Sequence, residues 1–205
     1  MSRTVLLASA STSRFRLLTD SGIHPLVQVS DVDEDAIARE LSPVSTEQLV
    51  VKLAAAKGEA VASNITVTDS RNLLIIAADS MLEFQGQSFG KPGTPERAIE
   101  RWTMMRGHSG YLHTGHWVHD VVTGQTRMGS AGATVEFADI SDVEIERYAH
   151  SGEPLNVAGG FTHEGRSAAF ITRMDGDLPA VAGLSMLLVR QFAIDMGIDW
   201  TALWT

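Results

Sequence analysis

Residues 73–79 read Leu-Leu-Ile-Ile-Ala-Ala-Asp. Six successive apolar side chains ending in a carboxylate predict a central strand buried on both faces, with Asp79 at its end. A half-solvated strand would alternate, and such a short run does not reach the length of a buried helix. A carboxylate beside such a strand is tolerated if it is exposed, paired or bound to a metal. In open α/β sheets, ligands gather at the carboxyl ends of the strands.

Working outward, Thr4 to Ala8 forms a second buried run, followed by the hydroxyl-rich loop Ser9 to Ser13 and a helix from about Ser13, with Gly22 as its stop. Val27 to Val29 reads as a short strand running into the acidic turn Asp31 to Asp35. Ser45 and Gln48 have capping-box spacing ahead of a helix, and Ser141 and Glu144 repeat it. Thr94-Pro95 starts another helix, which Gly107 closes, and Gln85-Gly86 makes a hairpin turn. Tyr111 to Val122 and Ala131 to Ala138 predict two strands joined near Thr123-Gly124. Ala168 to Arg173 predicts a strand, and Ala182 to Met196 one apolar helix. Alternating strands and helices with one long hairpin specify an α/β fold with a mixed sheet, in one domain over 1–205.

The composition limits the partners. The 205 residues carry 16 Lys and Arg against 25 Asp and Glu, a net charge of −9. Such a chain presents no broad electrostatic surface for nucleic acid or an anionic membrane, so a phosphate compound must be held by a few placed cations. Cysteine is absent, which removes disulfides, thiolate nucleophiles and Cys-zinc sites. No apolar run reaches the ~18 residues of a membrane span, and the first residues lack a signal-peptide pattern, so a cytoplasmic protein is expected.

Four places carry candidate chemistry. Ser9-Ala10-Ser11-Thr12-Ser13-Arg14 sits where a strand meets a helix N-terminus; backbone N–H groups, serine hydroxyls and a bidentate Arg14 suit an anion there, although simple N-capping reads equally well. Asp33-Glu34 lies in a run of carboxylates that suits a hard divalent cation or a solvated turn. Ala78-Asp79-Ser80 closes the central strand, and Gly90-Lys91-Pro92 holds a lysine between two backbone-restricting residues. Lys57 alternatively reads as a lysine lying along its helix with the ammonium in water. His108, His113, His116 and His119 lie close in sequence, but His113 and His119 share one strand face and His116 takes the other. A histidine-rich hairpin is the expectation there, not a metal site.

The order of the motifs adds a resemblance. L-A-S-A-S-x-x-R at 7–14, D-E at 33–34, A-D-S at 78–80, G-K-P at 90–92, T-G at 114–115, S-G-E-P-L at 151–155, A-G-G-F-x-x-E-G at 158–165 and V-A-G-L at 181–184 occur in sequence. Together they cover nearly the whole chain, and the set resembles the Maf family of nucleoside triphosphate pyrophosphatases, historically called septum formation inhibitors, in its actinobacterial form. The resemblance implies an elongated mixed sheet in two lobes around a central cleft. It implies hydrolysis of a nucleoside triphosphate, in several members a modified one, to the monophosphate and pyrophosphate with Mg²⁺ or Mn²⁺. It further implies Asp79 as catalytic base, Glu34 beside the water, Glu34 and Asp79 holding the metal, and Lys91 in catalysis and phosphate binding. Ser9, Ser11, Arg14 and Lys57 fall in the substrate site, and Arg14, Ser80 and Glu164 at positions tied to substrate choice. A homodimer is a further family expectation.

Two departures stand out. The common S-x-S-P-R-R has Ser13 in place of its first arginine, and the usual D-K-A-G reads Asn156-Val157-Ala158-Gly159. Glu164 replaces the glutamine of the pyrimidine-preferring subgroup, and a carboxylate accepts from guanine N1–H and N2–H₂. A non-enzymatic nucleotide-sensing regulator of cell division is the alternative reading.

Overall fold

A computed structural model describes residues 3–66 and 72–205. Seven strands, β1 (Thr4–Leu7), β2 (Leu26–Val27), β3 (Leu73–Phe84), β4 (Gln87–Phe89), β5 (Ser109–Asp120), β6 (Gln125–Phe137) and β7 (Ile171–Gly176), form one sheet. Its hydrogen-bonded order is β2-β1-β3-β5-β6-β7, with β4 on β3. The sheet is mixed: β1 runs parallel to β2 and β3, whereas β4 is antiparallel to β3 and β7 to β6. Among the described residues seven α-helices join them: α1 (Thr12–Asp20), α2 (Glu34–Leu41), α3 (Thr46–Ser63), α4 (Pro95–Met105), α5 (Asp142–His150), α6 (Leu178–Val181) and α7 (Met186–Asp195). Each starts on a Ser, Thr or Asp whose side chain accepts a backbone N–H, and the capping boxes at Ser45/Gln48 and Ser141/Glu144 are both closed. Among the described residues no helix is long and apolar enough to cross a membrane.

The chain divides into two compact units. The first takes the described residues up to Asp79, with Thr114–Ala131 and Gly183–Thr205; the second takes Ser80–His113 and Gly132–Ala182. In the first unit β3 is buried on both faces, as its apolar run requires. Leu74, Ile76 and Ala78 pack with Leu18 of α1 and Val189, Phe192 and Ala193 of α7. Leu73, Ile75 and Ala77 pack on the other side with Ala54 and Val61 of α3 and with Trp117 of β5. Asp79 continues this second series, so its side chain faces α3. The second unit has its own core, built around Trp102 of α4, Phe137 of β6 and Tyr148 of α5, whose rings meet edge to face.

Several boundaries differ from the sequence expectation. β3 does not end at Asp79 but continues to Phe84, because the chain passes there from two-sided burial into the alternating pattern that pairs with β4. Asp79 therefore lies inside a strand. The acidic turn is instead the start of α2: Asp33 caps it by accepting from the Ala36 N–H at 2.9 Å, and Glu34 is its first residue. β2 is only Leu26–Val27, and β6 begins at Gln125, six residues ahead of Ala131. The strand expected over 168–173 starts at Ile171, after a 3₁₀ turn over Arg166–Phe170. The single helix expected over 182–196 starts only at Met186; Gly183 at φ 109° stops the α-helical run, and Ser185 caps a new one.

Gly58 makes the contact that lets α3 approach β5. A Cβ there would run into the Trp117 indole, which is 3% exposed. Glycine to alanine in a helix ordinarily gains about 1 kcal/mol. Overpacking a closed core costs about 1–3 kcal/mol. Gly58→Ala is therefore expected to lower the urea midpoint, reversing the sign that helix propensity alone gives.

Candidate active site

The first unit brings together six of the sequence-predicted residues. Ser11 caps α1, accepting from the Arg14 N–H at 3.4 Å, and Ser9 accepts from the Ser11 N–H at 3.2 Å. Arg14, on the first turn of α1, turns inward and is buried. Its Nη1 donates to Ser9 Oγ at 3.0 Å and its Nε donates to the Gly183 carbonyl at 2.8 Å. Both lone pairs of Ser9 Oγ are thus used by these two donors, leaving its O–H proton for an acceptor. Ser11 therefore caps, as the N-capping reading expects, while Ser9 holds the Arg14 guanidinium.

Lys57 stands at the centre. It is buried on α3, not laid along the surface, and its ammonium meets Asp79 Oδ1 at 2.5 Å and Glu34 Oε1 at 2.9 Å. Asp79 is 5% exposed; the Glu34 side chain is 44% exposed. Three elements therefore converge: the first turn of α2, the middle of α3 and the inside of β3. Burial pushes the Asp79 carboxyl up, and the Lys57 ammonium and Arg14 guanidinium offset part of that rise. Burial pulls Arg14 below its usual value, against the opposing pull of Asp79 and Glu34. Asp79 Oδ2 is buried with no hydrogen-bond partner. An orphaned carboxylate oxygen is costly to maintain, and sites of function are where such costs are found.

A divalent cation fits this donor set in one way. Among the described residues no group of three or more His, Asp or Glu side chains is placed to hold a metal ion. Two carboxylates that share one ammonium, one of them with a free oxygen, are however the number that Mg²⁺ takes from a protein when substrate phosphates complete its shell. Glu34 and Asp79 suit a metal carried with a polyphosphate.

The second unit holds Ser80, Lys91 and Glu164. Ser80 follows Asp79 in β3 and points to the opposite strand face. Lys91 is exposed, but the backbone beside it is tied down. The Gly90 carbonyl accepts from Arg101 Nη1 at 2.5 Å and from the Gly159 N–H at 3.2 Å, while the Arg101 guanidinium lies 5.0 Å from the Phe89 ring centroid. The G-K-P and A-G-G motifs are thus bonded neighbours. Glu164 is exposed, in a turn closed by the Gly165 N–H donating to Thr162 Oγ1. Glu153 fastens that turn: it accepts from the Thr162 hydroxyl at 2.8 Å, the Tyr148 hydroxyl, and the N–H groups of Arg166 and Ser167. Arg101, Glu153 and Gly183 carry no residue-type signal of these roles. Glu153 and Gly183 do lie inside the S-G-E-P-L and V-A-G-L motifs, which was the available signal. On the hairpin, His113 meets Glu83 at 3.1 Å, His119 meets Thr126 at 2.9 Å, and His116 is fully buried.

The sequence pattern of the Maf family, described as Maf-like protein, matches residues 4–196. A protein of Streptomyces coelicolor named nucleoside triphosphate pyrophosphatase is 44% identical over 202 residues, 98% of this chain and 95% of its own. Proteins of the same name from Salinispora tropica and from Mycobacterium sp. strain JLS are each 42% identical, over 98% and 100% of this chain and 87% and 100% of theirs.

Two outcomes follow, one from the Lys57 ion pairs and one from the hydrogen bonds of Glu153. Lys57→Met leaves the Asp79 carboxyl buried without its cation and raises it further. A carboxyl lifted on folding stabilises the fold below its unfolded value and loses that contribution as pH rises through the folded value. Lys57→Met should therefore lose more stability at mildly alkaline than at mildly acidic pH, about 3 kcal/mol where Asp79 is ionised, seen as a larger drop of its melting temperature below wild type at the higher pH. Glu153 behaves oppositely. Burial pushes it up, but the Arg166 N–H, the Thr162 hydroxyl and the Ser167 N–H outweigh burial and hold it low. Its contribution is present above the ordinary carboxylate value and lost as pH falls through the folded value. Hydrogen exchange at the Arg166 and Ser167 amides should show protection lost in acid, and Glu153→Gln should lack that protection already at neutral pH.

Proposed function

Because the chain belongs to the Maf-like family, we propose that it is a nucleoside triphosphate pyrophosphatase, cytoplasmic and dependent on Mg²⁺ or Mn²⁺, that releases a monophosphate and pyrophosphate. The observation that carries this reading is the orphaned Asp79 Oδ2, buried beside Lys57 and in the field of Arg14. Water attacks the α-phosphorus, the bridging oxygen to the β-phosphorus leaves with pyrophosphate, and the proton of the water goes to Asp79 Oδ2. A carboxyl lifted by burial is a better base than one at the surface, and the Lys57 ammonium favours its ionised form. Arg14 and the N-terminus of α1 take phosphate oxygens, Arg14 as a fork donor and α1 through its first N–H groups. Ser9 adds its proton, and Ser11 keeps the loop shaped around Arg14.

A divalent ion bound with the substrate at Glu34 and Asp79 supplies positive charge to the phosphate oxygens. Lys57 holds both carboxylates in place and offsets their repulsion from a polyanion. Lys91, Ser80 and Glu164 enter the proposal through the family's motifs: Lys91 for the triphosphate, Ser80 and Glu164 for substrate choice. The Glu164 carboxylate favours a guanine-type base, whose N1–H and N2–H₂ both donate. With a net charge of −9, the protein as a whole repels its substrate, so positioning and local neutralisation carry the catalysis.

The test is pyrophosphate release from a panel of nucleoside triphosphates, including methylated guanine and uracil forms, with Mg²⁺ and with Mn²⁺. Asp79→Asn should lose at least ~10²-fold in rate while remaining folded, the scale of a positioned general base. The acidic limb of the wild-type rate profile should lie above the ordinary carboxylate value of about 4. Full activity of Asp79→Asn overturns the assignment. Binding of triphosphates with no turnover of any of them indicates a nucleotide-sensing protein in place of an enzyme.

A further inference from the structure

Arg14 is held by more than the loop it grows from. Its Nε–H donates to the carbonyl of Gly183, 169 residues away in sequence. Two residues further on, the Ser185 N–H donates to Nε2 of His116 at 2.8 Å, in a bond that is buried. His116 lies on β5 with no exposed surface, and Leu184, between the two bonded residues, is fully buried in the core with Leu7, Leu18 and Ile76. Gly183 stands at φ 109°, and a Cβ there would sit 3.2 Å from Arg14 Nε. The segment 183–185 is therefore a short rigid strap: one end is pinned to the sheet by His116, the other presents a carbonyl to the guanidinium.

We propose that His116 is a positioning residue for Arg14, acting through Ser185 and Gly183 to set the plane in which the guanidinium meets a polyphosphate. This rests on the pyrophosphatase reading only for what Arg14 binds. A guanidinium has five N–H donors in a fixed fork, and the Gly183 and Ser9 bonds commit two of them. Fixing Nε and one Nη fixes the direction of the rest, which is what recognition of two phosphate oxygens at once demands. The Ser185 bond requires Nε2 to be an acceptor, so the imidazole is neutral there. Losing that acceptor leaves a buried N–H unpaired, and the strap relaxes to satisfy it. The Gly183 carbonyl then moves off Arg14.

The readout is affinity for inorganic tripolyphosphate by calorimetry, alongside kcat and KM for the best triphosphate. His116→Leu removes the acceptor, and His116→Gln keeps one at similar reach. His116→Leu is expected to weaken tripolyphosphate binding about tenfold and raise KM in parallel, the scale of one misplaced charge-assisted hydrogen bond. Its kcat should change by less than about threefold, and His116→Gln should restore affinity to within about threefold, because catalysis at Asp79 keeps its own partners. In an Arg14→Lys background, which lacks Nε, His116→Leu should add nothing further. If His116→Leu does not fold, His116→Asn, too short to reach the Ser185 amide, takes its place with the same expectations. Equal loss of kcat and affinity, failure of His116→Gln to rescue, or full additivity with Arg14→Lys overturns the inference. A protein that binds tripolyphosphate in this pattern yet hydrolyses no triphosphate overturns the enzymatic reading and leaves the inference standing.

Discussion

The two carboxylates of the first unit's candidate site are organised by one ammonium ion. Lys57 reaches from α3 to Asp79 and Glu34, which belong to β3 and α2, and no regular secondary structure would bring these three side chains together. The arrangement is costly: a lysine and an aspartate leave water, and one aspartate oxygen receives no hydrogen bond in return. Folding tolerates it because the surroundings are rigid. The apolar series Leu73, Ile75 and Ala77 locks β3 against α3, and the missing side chain at Gly58, next to Lys57, lets the helix close on Trp117. The packing that stabilises the first unit and the electrostatics that serve the site are therefore the same contacts seen from two sides.

The second unit uses a different device. Its motif residues sit in turns, where backbone groups must find partners away from any helix or strand. Arg101 and Gly159 both donate to the Gly90 carbonyl, and a single carboxylate, Glu153, collects three donors from the turn that carries Glu164 and a fourth, the Tyr148 hydroxyl, from α5. The Glu153 anchor gains its precision at the expense of acid sensitivity, because it depends on a carboxylate remaining charged. The strap 183–185 in the first unit follows the same logic with a neutral imidazole as the anchor.

The regular elements were legible in the residues because each carries a local signal. The caps at Ser45, Thr94 and Ser141 and the apolar run 73–78 specify helices and a strand without reference to the rest of the chain. The errors have physical causes too. Helix α2 is hidden because its cap and first two residues, Asp33 to Asp35, are all carboxylates, which read as a solvated turn unless the stabilisation of acids at a helix N-terminus is weighed. The 182–196 segment looked continuous because apolar content hides a backbone break, which Gly183 makes through its torsion angle.

What the sequence determined alone is therefore the inventory: which residues start helices, which run is buried on both faces, and which Ser, Arg, Lys, Asp and Glu stand in family order. What only the tertiary structure decided is who faces whom. It buried Lys57 between two acids, placed Asp79 inside a strand with one oxygen unbonded, and set Arg14 against a carbonyl 169 residues away. Local periodicity has a reach of a few residues, whereas charges interact through space, so their partners are set by packing that no single stretch of chain encodes.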